Sequence, residues 1–407
     1  MSERFDVVVV GGGIVGNATA LALARDRWQV ALVEAGPPPA VPLPDDRPTL
    51  RVSTLNPAAI ELLRRLEVWD RLPADRLGWF DRMHVWESDI DLGLSFSAAD
   101  ARMAQLGCVL ENELVAAALW QAGESQVRQW SGTQVDTLEL GEGGATVALA
   151  DGTALQADLI FAADGARSKV RELAGIGINR HAYGQLGVVA TVAVEDHQDT
   201  AWQRFLPTGP LAFLPLANRR SSIVWSLPEA EAKELLACDD EAFSQRLEEA
   251  AQGCVGEVTV IGERGAFPLN RMHATDYVKR RVVLVGDAAH VVHPLAGQGA
   301  NLGLADAAAL AEVVATGRDL KRRAADPKTL RSYARWRRSD NAIMIEALHQ
   351  IAGMYGRDTP GWRGLRLLGA RAINQAGWLR GMLIQHASGF GGKVPKLVQQ
   401  RSSVQSR

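Results

Sequence analysis

The sequence predicts an α/β fold in which a parallel-sheet domain is interrupted by an antiparallel sheet and followed by helices. Residues 5–10 form a continuous apolar run that leads directly into glycines and an Ala/Leu-rich helix, which is typical of a strand buried on both faces of a parallel sheet. Residues 181–267 change to the alternation of antiparallel strands, and residues 328–385 have helical spacing. The chain has 407 residues, 47% of them hydrophobic and 22% charged, so it is globular and long enough for two domains.

The start of the chain predicts a β-α-β unit with the glycines in its first turn, because residues 29–33 give a second apolar strand. Residues 37–48 form a proline-rich connector, where several positions lack a backbone N–H. Helical spacing then recurs at residues 56–66 and 109–120, the second behind Asn112 as the expected N-cap. We expect both helices to cover the sheet.

The middle of the chain predicts an inserted antiparallel sheet. Strand-like runs occupy residues 187–194, 211–216, 221–227 and 255–261, and we expect residues 83–96 to join them. Residues 281–285 return to the buried-strand pattern, so the first domain is discontinuous. The predicted division is a dinucleotide-binding domain at residues 1–75, 101–180 and 275–345, an inserted sheet domain at 76–100 and 181–274, and a helical basic C-terminal region at 346–407.

The glycines after the first strand fit the dinucleotide motif G-x-G-x-x-G. In residues 11–16, Gly-Gly-Gly-Ile-Val-Gly, the first glycine makes the tight turn, the third admits a pyrophosphate and the last lets the helix pack on the strand. Glu34 ends the second strand, where a carboxylate accepts hydrogen bonds from ribose hydroxyls and repels a 2′-phosphate. The pattern predicts a Rossmann-like site for FAD or NAD rather than NADP.

Two further motifs each place an aspartate at the end of an apolar strand. They are Asp164-Gly165 and Gly286-Asp287. An aspartate there binds ribose or ribityl hydroxyls, and the alternative is an Asx-turn that closes a loop. Either motif taken alone favours the Asx-turn over the binding of ribose or ribityl hydroxyls.

The order of the three motifs resembles the single-component flavin aromatic hydroxylases. Within that superfamily, residues 286–306 resemble the ubiquinone-biosynthesis hydroxylases, and residues 51–55, 109–112, 202–205 and 209–216 are similar to the same family. The resemblance implies the class A flavin monooxygenase fold, in which a Rossmann-like FAD-binding domain carries an inserted antiparallel-sheet substrate domain.

The resemblance also implies which residues bind FAD. The ADP half belongs to the first glycines and Glu34, the pyrophosphate floor to the motif at 164, adenine to backbone near Val135, the ribityl chain to Asp287 and the ring to residues 294–301. The expected FAD-binding residues are Gly11, Gly13, Ile14, Val15, Gly16, Glu34, Arg51, Asn112, Val135, Asp164, Gly165, Gly286, Asp287, Pro294, Gly297, Gln298, Gly299, Ala300 and Asn301.

An independent argument places the flavin ring at residues 297–299. Glycines there expose backbone N–H groups, and the helix that begins near Ala300 directs its positive end the same way. Reduced flavin is anionic at its pyrimidine edge, which such donors stabilise without reorganising.

By resemblance the protein is an FAD monooxygenase that uses NADH or NADPH and O2 to hydroxylate a polyprenylated phenol or quinol in ubiquinone biosynthesis. The expected step is that of 2-polyprenyl-3-methyl-6-methoxy-1,4-benzoquinol, with other ring positions open. His293 and Pro294 are the candidate catalytic residues, His293 as the group that helps to deprotonate the phenol. An apolar roof over the substrate, or alternatively plain core, is expected from Trp202, Phe205, Phe213 and Trp225.

Other readings of the same residues remain open. A soluble aromatic-metabolite hydroxylase would need a cation for a carboxylate, for which Arg204, Arg219 and Arg220 are available. A flavin-binding scaffold without turnover is the non-enzymatic alternative. We expect no metal site, because Pro294 ends any helix that would align His290 with His293.

The C-terminal part of the chain is strongly basic. Residues 318–407 contain 18 Lys or Arg against 5 Asp or Glu. Such an arm suits an anionic membrane surface, an acidic partner in a biosynthetic complex or simply a solvated helical face. No nucleic-acid reading motif is present, so no nucleic-acid partner is expected. Three cysteines without C-x-x-C spacing and no targeting segment predict a cytoplasmic protein of undefined oligomeric state. The polyprenyl tail that the resemblance implies, together with the basic arm, suggests a peripheral position at the inner face of the membrane.

Overall fold

A computed structural model describes residues 3–40, 48–196, 199–293, 297–355 and 360–399. The strands are β1 (Glu3–Val10), β2 (Val30–Glu34), β3 (Val52–Leu55), β4 (Gly78–Phe80), β5 (Arg82–Trp86), β6 (Leu94–Ser97), β7 (Gly107–Glu111), β8 (Arg128–Ser131), β9 (Val135–Leu140), β10 (Ala145–Leu149), β11 (Ala154–Ala162), β12 (Ile178–Val194), β13 (Thr200–Leu206), β14 (Gly209–Leu216), β15 (Arg220–Pro228), β16 (Val258–Ala274), β17 (Val278–Lys279), β18 (Val282–Leu284) and β19 (His290–Val291). The helices are α1 (Ile14–Arg25), α2 (Pro57–Arg65), α3 (Asn112–Gly123), α4 (Lys169–Leu173), α5 (Glu229–Ala237), α6 (Asp240–Ala251), α7 (Gln298–Asp319), α8 (Pro327–Tyr355), α9 (Pro360–Gln375) and α10 (Gly377–Ala387).

The first sheet has the strand order β17-β18-β11-β1-β2-β8, and β9 and β10 extend it beside β11. Strands β18, β11, β1, β2 and β8 run parallel. The apolar run in β1 is fully buried from residue 7 to residue 10, because α1, α3 and α7 contribute to a core that includes this sheet. Its strands come from widely separated parts of the chain, so this domain is discontinuous.

The second sheet has the strand order β19-β16-β12-β15-β14-β13-β5-β6. Its neighbours are antiparallel except β5 and β13, which pair in parallel. The predicted strands at 187–194 and 255–261 belong to the longer β12 and β16, and residues 83–96 enter the sheet as β5 and β6. The predicted fold class, an α/β dinucleotide-binding domain with an inserted sheet and a helical C-terminus, is confirmed.

The two faces of the second sheet have different neighbours, as the alternation of side chains along a strand requires. One face packs on α5 and α6 and includes Phe213 and Trp225 in its core. The opposite face turns toward the first domain, where Ala201 and Leu216 pack with Val109 of β7. This second face therefore lies at the interface between the two domains.

A small third sheet, β3-β7-β4, connects the domains and corrects one predicted element. The helix expected at 109–120 begins at Asn112, because residues 107–111 form β7. The N-cap position belongs to Glu111 rather than Asn112. Helix α2 starts as predicted, with the Asn56 side chain accepting a hydrogen bond from the Ala59 N–H at 2.9 Å.

Two of the C-terminal helices start at a proline or a glycine, α9 at Pro360 and α10 at Gly377. Several of their cations pair with carboxylates of the preceding domains: Arg366 with Glu87, and Arg380 with Asp100 at 3.0 Å. Part of the basic excess thus neutralises the acidic body of the same chain. Within the described part of the chain, no helix has both the length and the apolar composition needed to cross a membrane.

The buried face of the second sheet gives a stability prediction. Phe213 is only 2% exposed, so Phe213→Ala should lower the free energy of unfolding by about 3 to 5 kcal/mol through the cavity that it leaves. Urea unfolding followed by tryptophan fluorescence measures this loss. Phe267→Ala, at a side chain that is 40% exposed, is the control and should cost much less. Equal stability of the two variants would contradict the assignment of Phe213 to the core.

Candidate active site

The glycine turn after β1 contains two different kinds of glycine. Gly11 has φ +108°, and a Cβ on Gly16 would lie 1.8 Å from the Gly11 carbonyl oxygen. These two positions therefore require glycine for the turn itself and for the packing of α1. A Cβ on Gly13 would meet nothing within 4 Å, so Gly13 borders open space.

The start of α1 is free to bind an anion. Its N-cap is Gly13, which has no side chain to cap the helix, and the buried Asn17 side chain donates to the backbone carbonyls of Gly12 and Gly13. Because no side chain caps the helix, the N–H groups of its first turn and the positive end of its dipole remain available to a ligand. A pyrophosphate suits such a position.

A cleft of about 340 Å³ adjoins this turn. Five of the predicted FAD-binding residues line it, namely Gly11, Gly13, Glu34, Val135 and Asp164. Among the lining residues that the sequence interpretation missed are four polar ones, namely Thr133, Gln134, Arg167 and Lys169. The two cations follow the Asp164-Gly165 motif closely, and this proximity was the available sequence signal for a phosphate site.

Glu34 lies across the cleft from the helix start. Its Oε1 accepts from the Gly36 N–H at 2.8 Å and its Oε2 from the Gly12 N–H at 2.5 Å. A carboxylate oxygen has two lone pairs, so both atoms keep acceptor capacity for ribose hydroxyls. The carboxylate is therefore held in place by the turn that also shapes the pyrophosphate site.

Asp164 has one engaged and one unengaged oxygen. Its Oδ2 accepts from the Val170 N–H at 3.1 Å, whereas Oδ1 is buried and has no hydrogen-bond partner among the described residues. An Asx-turn, in which the side chain bonds the backbone two residues on, does not describe this contact. The Thr133 hydroxyl in the same cleft is likewise unpartnered among those residues. Such orphaned polar atoms fit a polar ligand such as the ADP half of FAD.

Asp287 and its neighbours lie at the end of the site that is predicted to bind the ribityl chain. The Asp287 side chain is solvent-exposed but lies in a crowded recess, and burial of its surroundings raises its pKa while the charges of His290 and Arg51 act in the opposite direction. Arg51 also lies beside Asn112, whose N–H donates to the Arg51 carbonyl at 2.8 Å. The Oδ1 atom of Asn112 is buried without a partner in the described structure.

Val15 joins the first and last motifs. A Cβ on Gly286 would lie 3.1 Å from Val15 Cγ1, and one on Gly303 would lie 2.5 Å from Val15 Cγ2. The preceding residue, Ile14, is buried in the core. This close packing brings the Gly-Asp motif and α7 against α1, so the ends that would bind the two halves of FAD meet in one site.

The first turn of α7 is fixed by Asn301. Its Nδ2 donates to the Thr54 carbonyl at 2.8 Å, and its Oδ1 accepts from the Asn56 N–H at 2.9 Å. Gly297, in the left-handed region at φ +59°, occupies the N-cap of α7 against Thr54. Asn301 thus positions the start of α7 through backbone contacts rather than by pointing freely at a ligand.

The remaining residues predicted to bind FAD differ in how much open space surrounds them. A Cβ on Gly299 would meet nothing within 4 Å, whereas Gln298 is buried and Ala300 is half-buried. Gly165 also borders open space, at φ +81°. Pro294 lies outside the described residues.

A buried charge network holds the Gly286-Asp287 loop. Asp306 is 0% exposed; its Oδ2 accepts from the Gly286 N–H at 3.1 Å and from His290 Nε2 at 2.6 Å. Its Oδ1 accepts from Arg337 Nε at 2.6 Å and from Asn341 Nδ2 at 3.1 Å. Burial alone would raise the pKa of Asp306, but the charges and hydrogen bonds of His290 and Arg337 outweigh it and lower the pKa to about 2.

Arg171 connects the two aspartate loops. Its Nη1 donates to the Ala288 carbonyl at 2.8 Å and its Nη2 to the Ala166 carbonyl at 2.9 Å. The sequence interpretation assigned no role to Arg171, Arg337 or Asn341, and quoted Asp306 only within its motif. No local pattern distinguishes these residues, because their partners are far away along the chain.

His293 and His290 have different partners and so do not converge on one point. His293 is 2% exposed, and its Nδ1 has no hydrogen-bond partner in the described part of the structure. Its ring packs edge-on against Tyr183 at 5.0 Å between centroids, and the Tyr183 hydroxyl lies 3.3 Å from His349 Nδ1. Burial, with a smaller contribution from His349, lowers the pKa of His293 to about 4.

The four aromatic residues expected to form a roof are divided between the two faces of the second sheet. Phe205 packs with Val292 and Leu302 beside the loop of the active site, and it stacks on Tyr355 at 3.7 Å. Phe213 and Trp225 are in the core with α5 and α6, and Trp202 packs against that same core. The structure therefore leaves Phe205 as the member of this set on the side of the site.

Comparisons with known proteins agree with this geometry. The family described as "FAD binding domain" matches residues 4–346. The 3-demethoxyubiquinol 3-hydroxylase of Escherichia coli is 36% identical over 96% of this chain and 100% of its own length. Ubiquinone hydroxylase UbiL of Rhodospirillum rubrum is 34% identical over 97% of this chain and 92% of its own.

Among solved structures, PqsL of Pseudomonas aeruginosa has the same fold, with a TM-score of 0.77 and 24% identity over 91% of this chain and 100% of its own. The fold and the dinucleotide cleft define an FAD-dependent enzyme class, and the chain belongs to the FAD-dependent ubiquinone-biosynthesis hydroxylase family. The predicted family resemblance is confirmed.

The Asp306 network gives a prediction for stability and its pH dependence. Asp306→Asn should lower the free energy of unfolding by about 3 to 5 kcal/mol, because it leaves Arg337 buried without its counter-charge. In the unchanged protein, the folded pKa of about 2 lies below the ordinary value of 3.8. The contribution of Asp306 is therefore present above pH 3.8 and is lost as the pH falls toward 2.

Urea unfolding at neutral and acid pH measures both effects. Asp340→Asn is the matched control, because Asp340 pairs with the same arginine at 3.2 Å but its side chain is 43% exposed, so solvent screens it. Similar losses from the two substitutions would contradict a special role for Asp306.

The two kinds of glycine give a prediction for FAD binding. Gly13→Ala should leave the apoprotein as stable as before but raise the FAD dissociation constant by about tenfold or more, because the added methyl group enters the dinucleotide cleft. Titration of apoprotein by quenching of FAD fluorescence measures the constant. Gly16→Ala is the contrasting variant and should destabilise the apoprotein itself. Unchanged FAD affinity in Gly13→Ala would show that FAD does not approach this turn.

Proposed function

We propose that the protein hydroxylates the aromatic ring of a polyprenylated quinol, at the step of 2-polyprenyl-3-methyl-6-methoxy-1,4-benzoquinol, with NADH or NADPH as reductant and O2 as co-substrate. One observation above all supports this step: the match with the 3-demethoxyubiquinol 3-hydroxylase covers the whole length of that relative. The matched length includes the sheet domain that would contact the substrate. Hydroxylation at another ring position is the second candidate, because ubiquinone hydroxylase UbiL, whose name specifies no ring position, is 34% identical to this chain.

The residues of this chain fit FAD along the whole site. Gly13, Glu34 and Asp164 would hold the ADP half, Asp287 the ribityl chain, and the loop at 297–301 the ring. When bound, FAD supplies the redox chemistry that activates oxygen. The protein contributes binding, orientation and exclusion of water.

His293 is the residue that we propose accepts the phenol proton. Because its pKa is lowered to about 4, its imidazole is neutral at neutral pH and Nδ1 is available as an acceptor. Removing the phenol proton makes the ring a better nucleophile. The Tyr183 ring packs edge-on against the imidazole and would hold it in orientation, while the Tyr183 hydroxyl contacts His349.

Apolar side chains would close the site against water. Phe205, Val292 and Leu302 form one cluster with Ile345 and Leu348 of α8. A dry enclosure of this kind strengthens the interactions of the bound ring and prevents side reactions. An aromatic ring with an apolar tail fits such surroundings better than a charged metabolite does.

Two of the three arginines available to a free aromatic acid are placed unfavourably for that substrate. Arg204 donates to the carbonyls of Glu87 and Ala250, the latter in α6, and Arg219 is exposed in the turn between β14 and β15. This arrangement favours the prenylated quinol over a soluble aromatic acid. A scaffold without turnover would have no use for the enclosed His293.

The decisive experiment measures NADH and NADPH oxidation by the purified protein with and without short-tailed quinol precursors, following peroxide and hydroxylated product together. Oxidation stimulated by the quinol and coupled to product is expected. Product analysis identifies the ring position. If the protein binds FAD but no prenylated phenol stimulates oxidation, the proposed substrate is wrong.

His293→Gln tests the proton acceptor. We expect kcat for the quinol to fall by about a hundredfold, with the FAD content and the substrate KM little changed, because the variant keeps the bulk but loses the basic nitrogen. Rapid-mixing kinetics with the quinol separate this step from FAD reduction. Full activity of His293→Gln would exclude His293 as the acceptor.

A further inference from the structure

Helix α10 exposes a continuous apolar stripe. Trp378 is 75% exposed, Met382 is 54% exposed and Leu383 is 39% exposed. Trp378 and Met382 are four residues apart and so lie on the same face of the helix. Single exposed apolar residues are ordinary, whereas a large tryptophan beside two further apolar side chains indicates an interaction surface.

The apolar stripe is not the side of α10 that packs against the body of the protein. The opposite face of α10 is fixed to the body: Arg380 pairs with Asp100 at 3.0 Å, and Ile384 is only 5% exposed. A Cβ on Gly381 would lie 2.8 Å from the Asp100 carbonyl oxygen, so the helix sits closely on this segment. Beyond its end, the Ser388 carbonyl accepts from the Ala58 N–H at 3.1 Å.

Helix α9 adds to the same exposed region of the chain. Its Leu368 is 65% exposed and Arg371 is also exposed, while Asn374 anchors the helix to the body by donating to the Gly93 carbonyl at 2.8 Å. We define the docking surface as Trp378, Met382 and Leu383 of α10 with Leu368 and Arg371 of α9.

The charge around the docking surface favours an anionic occupant. After Asp358 the sequence contains eight Lys or Arg residues and no Asp or Glu. Arg366 and Arg380 pair with carboxylates of the body, but no acidic side chain in this stretch offsets the others. Helices α9 and α10 themselves carry no carboxylate and Arg371 is exposed, so these helices attract an anionic surface, although the exposed Asp89 and Asp91 lie on the segment beside α9.

We propose that the docking surface lies in the headgroup region of an anionic phospholipid bilayer. Tryptophan prefers the boundary between lipid and water, and an apolar stripe with flanking cations is the pattern of a helix that lies in this plane. An acidic protein would match the charge without needing the exposed tryptophan, and an apolar protein surface would not need the absence of carboxylates. The bilayer accounts for both features.

The position of the docking surface beside the substrate sheet would bring the enzyme to its substrate, an argument that rests on the proposed function. Helices α9 and α10 border a cleft of about 580 Å³ whose walls include Met83, Phe96 and Trp202 of the second sheet. A quinol with a polyprenyl tail partitions into the bilayer, since each buried CH2 group contributes about 0.8 kcal/mol. Docking through α9 and α10 would hold the edge of the substrate sheet beside that reservoir.

The test is co-sedimentation of the full-length FAD-bound protein with vesicles of phosphatidylcholine, alone or with about 30% phosphatidylglycerol, in the absence of substrate and reductant. We expect retention by the anionic vesicles that weakens at high salt. A double variant, Trp378→Ser with Met382→Ser, should lower the partition coefficient by about tenfold or more.

Leu320→Ser is the matched control. Leu320 is 58% exposed but follows α7, outside the docking surface, so its loss should leave the partition coefficient unchanged. FAD absorbance and the melting temperature verify that all variants are folded. With a long-tailed quinol in anionic vesicles the double variant should turn over more slowly, whereas with a short-tailed quinol in solution it should match the unchanged protein.

Several results would overturn the inference. In one, the protein without substitutions stays in the supernatant with both vesicle types. In another, the double variant sediments as well as the protein without substitutions. A dimer in sedimentation velocity that the double variant dissolves, without vesicle binding, would assign the surface to a second copy of the chain. Turnover of the short-tailed quinol tests the proposed hydroxylase separately, so the two proposals can fail independently.

Discussion

The carboxylate of Asp306 is the constraint on which the two ends of the site depend. It is completely buried and accepts hydrogen bonds from the backbone of Gly286, from His290 and from Arg337 and Asn341 of α8. Three parts of the chain therefore take their relative positions from one charged group. Removing a single partner leaves an uncompensated charge in a low-dielectric interior, so the arrangement is maintained as a unit. This network also fixes the position of the loop that contains Asp287, through the Gly286 N–H.

The second sheet separates stability from function by its two faces. Phe213 and Trp225 belong to the core with α5 and α6, whereas Phe205 lies beside Val292 and the active-site loop. The same strands thus provide a rigid support and one wall of the site, because successive side chains point to opposite faces. Aromatic content alone does not reveal which face a residue takes.

The basic stretch at residues 318–407 has at least two roles in the structure. Arg337 completes the Asp306 network, and Arg366 and Arg380 tie the last helices to the inserted sheet region. These ion pairs orient α9 and α10 so that Trp378 and its neighbours face outward. Internal charge pairing and an outward apolar stripe are consequently parts of one arrangement rather than competing explanations of the basic arm.

Local sequence determined the elements and the first half of the candidate cofactor site. The apolar run, the glycines at 11–16 and Glu34 are close together in the chain, so their geometry follows from one β-α-β unit. Tertiary structure alone decided that Arg171 joins the two aspartate loops, that Asp306 meets Arg337, and that Phe205 faces the site. These contacts join residues 31 or more positions apart, and their partners are selected by the packing of strands and helices, which no short-range periodicity records.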